Sequence, residues 1–356
     1  MDFEPTEEQA TLREVSRSML AAACPPALVR ALAESGGDVD DKLWRRGAEL
    51  GWTGLAVPEE HEGAGQGLVE LCLVAEELGR AVAPGPFVDT ALTASVLSRS
   101  DSPKAAEAVR GLTARGQKAS LVHHGRVSAA RAPHGLVLNG RATAVHSAGS
   151  ADWFLVVADF ESDAARLVLL EAAAAEPERR RTLDETRGWY DVVFDDVFVP
   201  SAQVVSADPA EIRRLLDAAA VVTAADALGV GERLLEMTVD YVKVRKQFDR
   251  QLGSFQSVKH KVADMLTTLK GARAAIYYAA MALDAGVPDA SLASSAAKAF
   301  TGEGISALAG EALQTHGGIG FTWEHDLHLY LRRAKVDELL YGSTSEHHER
   351  VLSLIV

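Results

Sequence analysis

Residues 241–265 read YVKVRKQFDRQLGSFQSVKHKVADM, and what flanks them decides the fold. Upstream, PAEIRRLLDAAAVVTAADALGVGERLLEMTVDYVKVR (209–245) reads as one long, partly buried helix. Downstream, SVKHKVADMLTTLKGARAAIYYAAMALDAG (257–286) reads as a second. A third, rich in Ala and other small residues, is ASLASSAAKAFTGEGISALAGEALQTHGG (290–318), and DLHLYLRRAKVDELL (326–340) is a fourth. Antiparallel packing of the four predicts a helix bundle.

Working outward, the pattern changes before Pro200. KASLVHHGRV, HGLVLNGRATAVHS, DWFLVVADF, ARLVLLEA and WYDVVFDDVFVP are short β-branched runs separated by turns. Five such runs predict a small antiparallel domain, with a hairpin turn at Leu138-Asn139-Gly140-Arg141. The first third is helical again. Thr6 and Gln9 fit a capping box that opens EEQATLREVSRSMLAAA, and Pro25-Pro26 ends it. DDKLWRRGAELGW is a short amphipathic helix, VPEEHEGAGQG a Gly-rich loop and LVELCLVAEELGRAV a core helix. The predicted class is α+β: an N-terminal α-helical domain (1–116), a middle antiparallel β domain (117–204) and a C-terminal four-helix bundle (205–356).

Composition bounds the function. Of 356 residues, 47% are hydrophobic and 24% charged, ample for a core. Asp and Glu number 50 against 36 Lys and Arg, a net charge of -14 that argues against nucleic-acid binding. Cys24 and Cys72 have no disulfide or metal-ligand spacing and read as reduced core thiols. The polar, acidic start MDFEPTEEQATLREV is unlike a signal peptide, and no apolar run reaches the ~20 residues of a membrane span. These features predict a cytoplasmic protein without a metal site.

Two motifs are specific: Tyr241–Met265 and LQTHGGIGFTWEHDLHLYLRRAKVDELLYGSTSEHHERV (313–351). With VPEEHEGAGQG and EELGR they resemble the acyl-CoA dehydrogenase family, and the resemblance spans nearly the whole chain. That family oxidises an acyl-CoA thioester between Cα and Cβ with FAD and passes electrons to an electron-transfer flavoprotein. Its subunits pair, and each FAD is shared: one subunit lines the flavin ring, its neighbour holds the ADP end.

On the ADP side the resemblance implies contacts from Arg245, Gln247, Phe248 and Gln256, with apolar support from Leu252 and Phe255. A guanidinium suits a pyrophosphate because it donates a planar pair of hydrogen bonds. Gln314, Gly317 and Gly318 match a glycine-bearing segment that lets backbone approach the neighbour's ADP, and Thr344 matches a residue that touches the cofactor. Asp249 stands where the family commonly has Gly.

On the flavin side the match fails. Counting from Asn139-Gly140, Ala144 replaces the family's Trp and His146 its Thr. α-Proton removal needs a partly desolvated carboxylate within reach of the substrate. The family's usual Glu is Gly342 here, in the turn Tyr341-Gly342-Ser343-Thr344, and the alternative location is Ala219, beside Ala220. Asp217, Asp337 and Glu338 are the nearby acids, and no catalytic residue is assigned. The losses fall on one side only. The resemblance therefore implies a non-catalytic partner in an α2β2 assembly, of the kind found in actinobacterial sterol degradation, that completes the FAD site of a second subunit. Two alternatives stay open: a self-sufficient FAD enzyme with a base such as Asp217 or His146, and a flavin-free acyl-CoA-binding or scaffold protein.

Overall fold

The computed structural model describes residues 4–160 and 163–356. Its chain forms two compact units, one from Met1–Val29, Cys72–Ala83 and Ala220–Val356, the other from Arg30–Leu71 and Pro84–Ala219. Among the described residues the first third holds six α-helices: α1 (Glu7–Ala23), α2 (Pro26–Ser35), α3 (Asp41–Glu49), α4 (Leu68–Arg80), α5 (Phe87–Leu97) and α6 (Pro103–Ala114). The capping box of α1 forms as predicted, with Thr6 Oγ1 accepting from the Gln9 N–H at 3.2 Å and Gln9 Oε1 from the Thr6 N–H at 3.0 Å. Asp40 caps α3 through the Leu43 N–H at 2.7 Å. Every residue of α5 but Val88 is buried, so this helix needs no polar face.

The sheet belongs to the second unit. Its strands are β1 (Ala119–Val122), β2 (Gly125–Ala132), β3 (Gly135–His146), β4 (Trp153–Phe160), β5 (Asp163–Glu171), β6 (Glu176–Arg180), β7 (Trp189–Pro200) and β8 (Val204–Ser206). The order is β6-β7-β3-β2-β4-β5-β8, with β1 also on β4. Most pairs are antiparallel as expected, but β4 runs parallel to both β1 and β2, which makes the sheet mixed. After β3 pairs back on β2, the chain crosses to β2's other side, so β4 enters in β2's own direction. β4 is buried almost throughout and supplies Phe154, Val156, Ala158 and Phe160 to the core, with Val168 of β5 and Phe194 of β7.

The expected turn at Asn139-Gly140 is not a turn. The β2–β3 turn falls at Pro133-His134, and Asn139-Gly140 lies inside β3 at a bulge. Asn139 bonds Asp196 twice, Nδ2 donating to Oδ1 and Oδ1 accepting the Asp196 N–H, each at 2.9 Å. Gly140 has φ +132°, and a Cβ there would lie 2.0 Å from the Arg126 carbonyl oxygen. The Asn-Gly pair serves the close approach of two strands, not their reversal.

The remaining elements are α7 (Pro209–Val244), a two-stranded hairpin of β9 (Lys246–Gln247) and β10 (Arg250–Gln251), α8 (Gln256–Ala285), α9 (Ala290–His316), α10 (Leu327–Leu339) and α11 (Thr344–Ile355). The four expected helices are present, and a fifth, α11, follows the Gly342 turn. In the first unit α4 crosses α7 backbone to backbone. A Cβ on Gly79 would lie 1.9 Å from the Asp226 carbonyl oxygen, and one on Gly229 would lie 1.8 Å from that of Glu76. Buried Arg333 of α10 pairs with Asp226 and donates to the carbonyls of Val82 and Ala83 at 3.2 and 3.1 Å, satisfying the end of α4. Cys24 and Cys72 are buried thiols outside any disulfide. No helix among the described residues is long and apolar enough to cross a membrane.

Candidate functional site

The residues assigned to the ADP side lie mostly at one end of α7, α8 and α9. Arg245 ends α7, and the Leu252 N–H donates to its carbonyl at 2.8 Å, closing the β9–β10 hairpin. The hairpin turns at Phe248 and Asp249, with φ +51° and +58°. Both values lie in the left-handed region, as a two-residue turn of matching twist requires. This accounts for Asp249 where Gly is usual: Asp tolerates that conformation better than most residues. Phe248 is 87% exposed, its ring set edge-on to Phe255 at 6.2 Å. Arg250 covers the other ring at 3.9 Å. Gln256 opens α8, and Arg245, Gln247 and Gln256 are all exposed.

The second segment reaches the same place through a contact that sequence reasoning missed. Tyr241 of α7 stacks on His316 of α9, centroids 4.6 Å apart and planes at 23°. His316 is buried, its Nδ1–H donated to the Ala312 carbonyl at 2.8 Å, and burial lowers its affinity for a proton. The stack ties the Arg245 hairpin to the end of α9, where Gln314 and Gly318 are exposed and a Cβ on Gly317 or Gly318 would meet nothing within 4 Å. Gly317, at φ +62°, ends α9 as a glycine should. The same loops expose Val244, Phe321 and Trp323. Only the adjacency of His316 to the glycines hinted at this in the sequence.

Thr344 is not part of that group. It starts α11 beside Gly302 of α9, fourteen residues before His316, roughly 20 Å along the helix. Its Oγ1 is buried without a hydrogen-bond partner among the described residues.

The turn before Thr344 is tightly held. Tyr341 and Gly342 have φ +59° and +110°. Ser343 caps α11 in a capping box with Glu346. The Lys298 ammonium, buried inside α9, donates to the carbonyls of Glu338 at 2.9 Å and Gly342 at 3.0 Å. His347 closes the other side, its Nε2–H donated to the Tyr341 carbonyl at 3.0 Å. A Cβ on Gly342 would lie 2.7 Å from that Nε2. His347 fills the space that a side chain at position 342 would take. Burial brings Lys298 down to about 8, against the pull of Asp337 and Glu338.

The other acids are engaged or enclosed. Asp337 is buried near Lys298, and Glu338 accepts from Ser306 Oγ at 2.6 Å. Asp217 is 1% exposed, and Ala219 and Ala220 are buried in α7.

In the sheet unit, Ala144 sits at a second bulge of β3 with φ +53°. Two residues on, His146 is buried opposite Trp189 of β7, rings 5.4 Å apart, with Nδ1 3.7 Å from Asp89 Oδ2 of α5. His123 of the loop after β1 is half-buried, and desolvation lowers it to about 4. Where the resemblance expects an aromatic wall and a hydroxyl, this unit has a bulge and a buried imidazole. No group of three or more His, Cys, Asp or Glu among the described residues could hold a metal ion.

Comparison with known proteins agrees with this architecture. Residues 6–109 match the family domain described as "Acyl-CoA dehydrogenase, N-terminal domain", and residues 211–353 match "Acyl-CoA dehydrogenase, C-terminal domain". The chain is 35% identical to the acyl-CoA dehydrogenase IpdE2 of Mycobacterium tuberculosis (strain ATCC 25618 / H37Rv), covering 98% of both chains. Among solved structures it resembles the ChsE4-ChsE5 complex from Mycobacterium tuberculosis, with TM-score 0.93, 28% identity and coverage of 100% and 99%. It also resembles the Tcur3481-Tcur3483 steroid ACAD, with TM-score 0.91, 28% identity and 98% coverage of each chain. From the capping box of α1 to the helix after the Gly342 turn, this chain belongs to the acyl-CoA dehydrogenase family, oxidoreductases that act on CH–CH bonds.

Proposed function

We propose that this chain is the base-lacking subunit of an acyl-CoA dehydrogenase built from two unlike chains, and that it completes the FAD site of its partner. The single observation that carries this reading is a division. The ADP-side groups Arg245, Gln247, Phe248, Gln256, Gln314 and Gly318 are displayed on an exposed end, while the base positions are Gly342 and buried Ala219. Exposed donors and bare glycine backbone fit the diphosphate end of a dinucleotide held by a neighbouring chain. The flavin-ring side of this chain does not fit: Ala144 offers no wall, and His146 is turned into the core. FAD, bound by the partner, supplies the acceptor for the hydride from Cβ. This chain contributes fixed contacts and shape, which favour catalysis by holding the cofactor in place.

Two similar structures, a ChsE4-ChsE5 complex and a Tcur3481-Tcur3483 steroid ACAD, support an assembly of unlike chains acting on a steroid acyl-CoA. The electrons leave to an electron-transfer flavoprotein in the cytoplasm.

The test is the visible spectrum and solution mass of the chain, purified alone and with a second acyl-CoA dehydrogenase subunit. Alone it is expected to be colourless. With its partner the complex should carry flavin at half the number of chains. A full complement of flavin on the chain alone, bleached by an acyl-CoA, would overturn the reading in favour of a self-sufficient enzyme.

A further inference from the structure

Away from the sites above, α1, α4, α7 and α8 line a solvent-open pocket of about 450 Å3 in the helical unit. Each helix turns one face inward, shown by lining residues four apart: Arg13 and Arg17 on α1, Glu76 and Arg80 on α4, Glu232 and Glu236 on α7, Leu266 and Lys270 on α8. Its acids are already held. Glu76 takes both terminal nitrogens of Arg273, at 2.9 and 2.8 Å, and the Tyr277 hydroxyl at 2.9 Å. Glu77, just behind the wall, takes Arg17 in a two-pronged pair at 2.9 and 2.7 Å. Glu236 is held by Arg80 and by Arg233, and Glu232 by Arg273.

Two cations are left over. Arg13 makes no ion pair among the described residues, and its Nε is shut off from solvent with no acceptor. Lys270, which is exposed, also makes none among the described residues. Folded proteins leave few buried donors unmet, fewer still when the group is charged, so the enclosed Nε of Arg13 calls for an acceptor in this pocket. Leu235, Leu266 and Leu269 complete the lining. The paired glutamates would repel a dianion, whereas a single carboxylate matches the leftover cations and an apolar body matches the leucines.

We propose that this pocket binds an organic carboxylate, its oxygens on Arg13 and Lys270 and its apolar body against Leu235, Leu266 and Leu269. The site stands apart from the cofactor residues and does not depend on the partner reading.

The test is thermal melting and calorimetric titration of the full chain, in whatever assembly it purifies, with hexanoate as probe. Phosphate is the charge-only control and hexanol the uncharged one. Hexanoate should raise the melting temperature saturably and the controls should not. Arg13→Gln and Lys270→Gln should each weaken hexanoate roughly tenfold while leaving the unliganded melting temperature unchanged, because neither residue holds an acid. Arg13→Lys should retain part of the affinity. No saturable binding at millimolar hexanoate would overturn the proposal, as would equal binding by the variants, which would place the ligand elsewhere. Phosphate binding as tightly as hexanoate would overturn the choice of ligand. A changed solution mass in Arg13→Gln would overturn it in favour of a carboxylate donated by a neighbouring chain.

Discussion

Replacing Gly342 by Glu puts an acid in the turn; the geometry predicts a loss of stability, and the proposed base-lacking role predicts no gain of activity. Position 342 has φ +110°, which L side chains rarely adopt. Holding a non-Gly residue there costs on the order of 1–3 kcal/mol. The new Cβ would start 2.7 Å from His347 Nε2, so His347 must move and release its bond to the Tyr341 carbonyl. That loss adds about 1 kcal/mol. The sum, roughly 2–4 kcal/mol, should lower the melting temperature by about 3–5 °C for a chain of 356 residues. His347→Ala separates the two parts. In that background the steric share is gone and only the backbone strain remains, so Gly342→Glu should cost about 1 kcal/mol less. The assay is thermal melting of the four proteins in the cycle, with acyl-CoA-dependent reduction of an electron acceptor measured on each. A Gly342→Glu protein that melts with the parent would refute the closed turn. Acyl-CoA oxidation by that variant alone would refute the reading of the flavin side as well.

Three further outcomes follow from the same geometry. Arg245→Ala should weaken flavin retention in the mixed complex by ~1.5–3 kcal/mol, the worth of a charged hydrogen bond; flavin content unchanged after dialysis would remove Arg245 from the ADP side. Gly79→Ala should push α4 away from α7, because its Cβ would lie 1.9 Å from the Asp226 carbonyl oxygen; the expected cost is ~1–3 kcal/mol or more, and a melting temperature equal to the parent's would show that the crossing is loose. Lys298 is lowered by burial to about 8 from 10.5, so between those values the unfolded chain binds a proton that the folded chain does not. Its burial penalty is therefore full below that window and is relieved as pH rises through it, and the parent should gain stability on Lys298→Met across the window; a constant difference would show that the ammonium is not titrating there.

How far the sequence could be read depended on whether a signal was local. The α1 capping box, the stop at Pro25-Pro26 and the four long helices are local patterns, and each appears where the sequence puts it. Asn139-Gly140 was a local signal of the wrong kind. Glycine marks a position where a Cβ cannot fit, and here the obstacle is the Arg126 carbonyl of a neighbouring strand, not a reversal of the chain. The parallel β1–β4 and β2–β4 pairs were illegible because strand order depends on crossovers that leave no residue pattern. At the site, residue types told which groups were missing but not what stood in their place. That Gly342 is no acid is plain in the sequence. That His347 and Lys298 close the turn around it depends on α9 and α11 meeting at that point, and Lys298 lies more than forty residues upstream. A turn pinned from two sides differs from one that has only lost its acid. In an open turn, glycine would be a vacancy that one substitution could fill. Here His347 occupies the space, so seating an acid at position 342 would require at least two positions to change together.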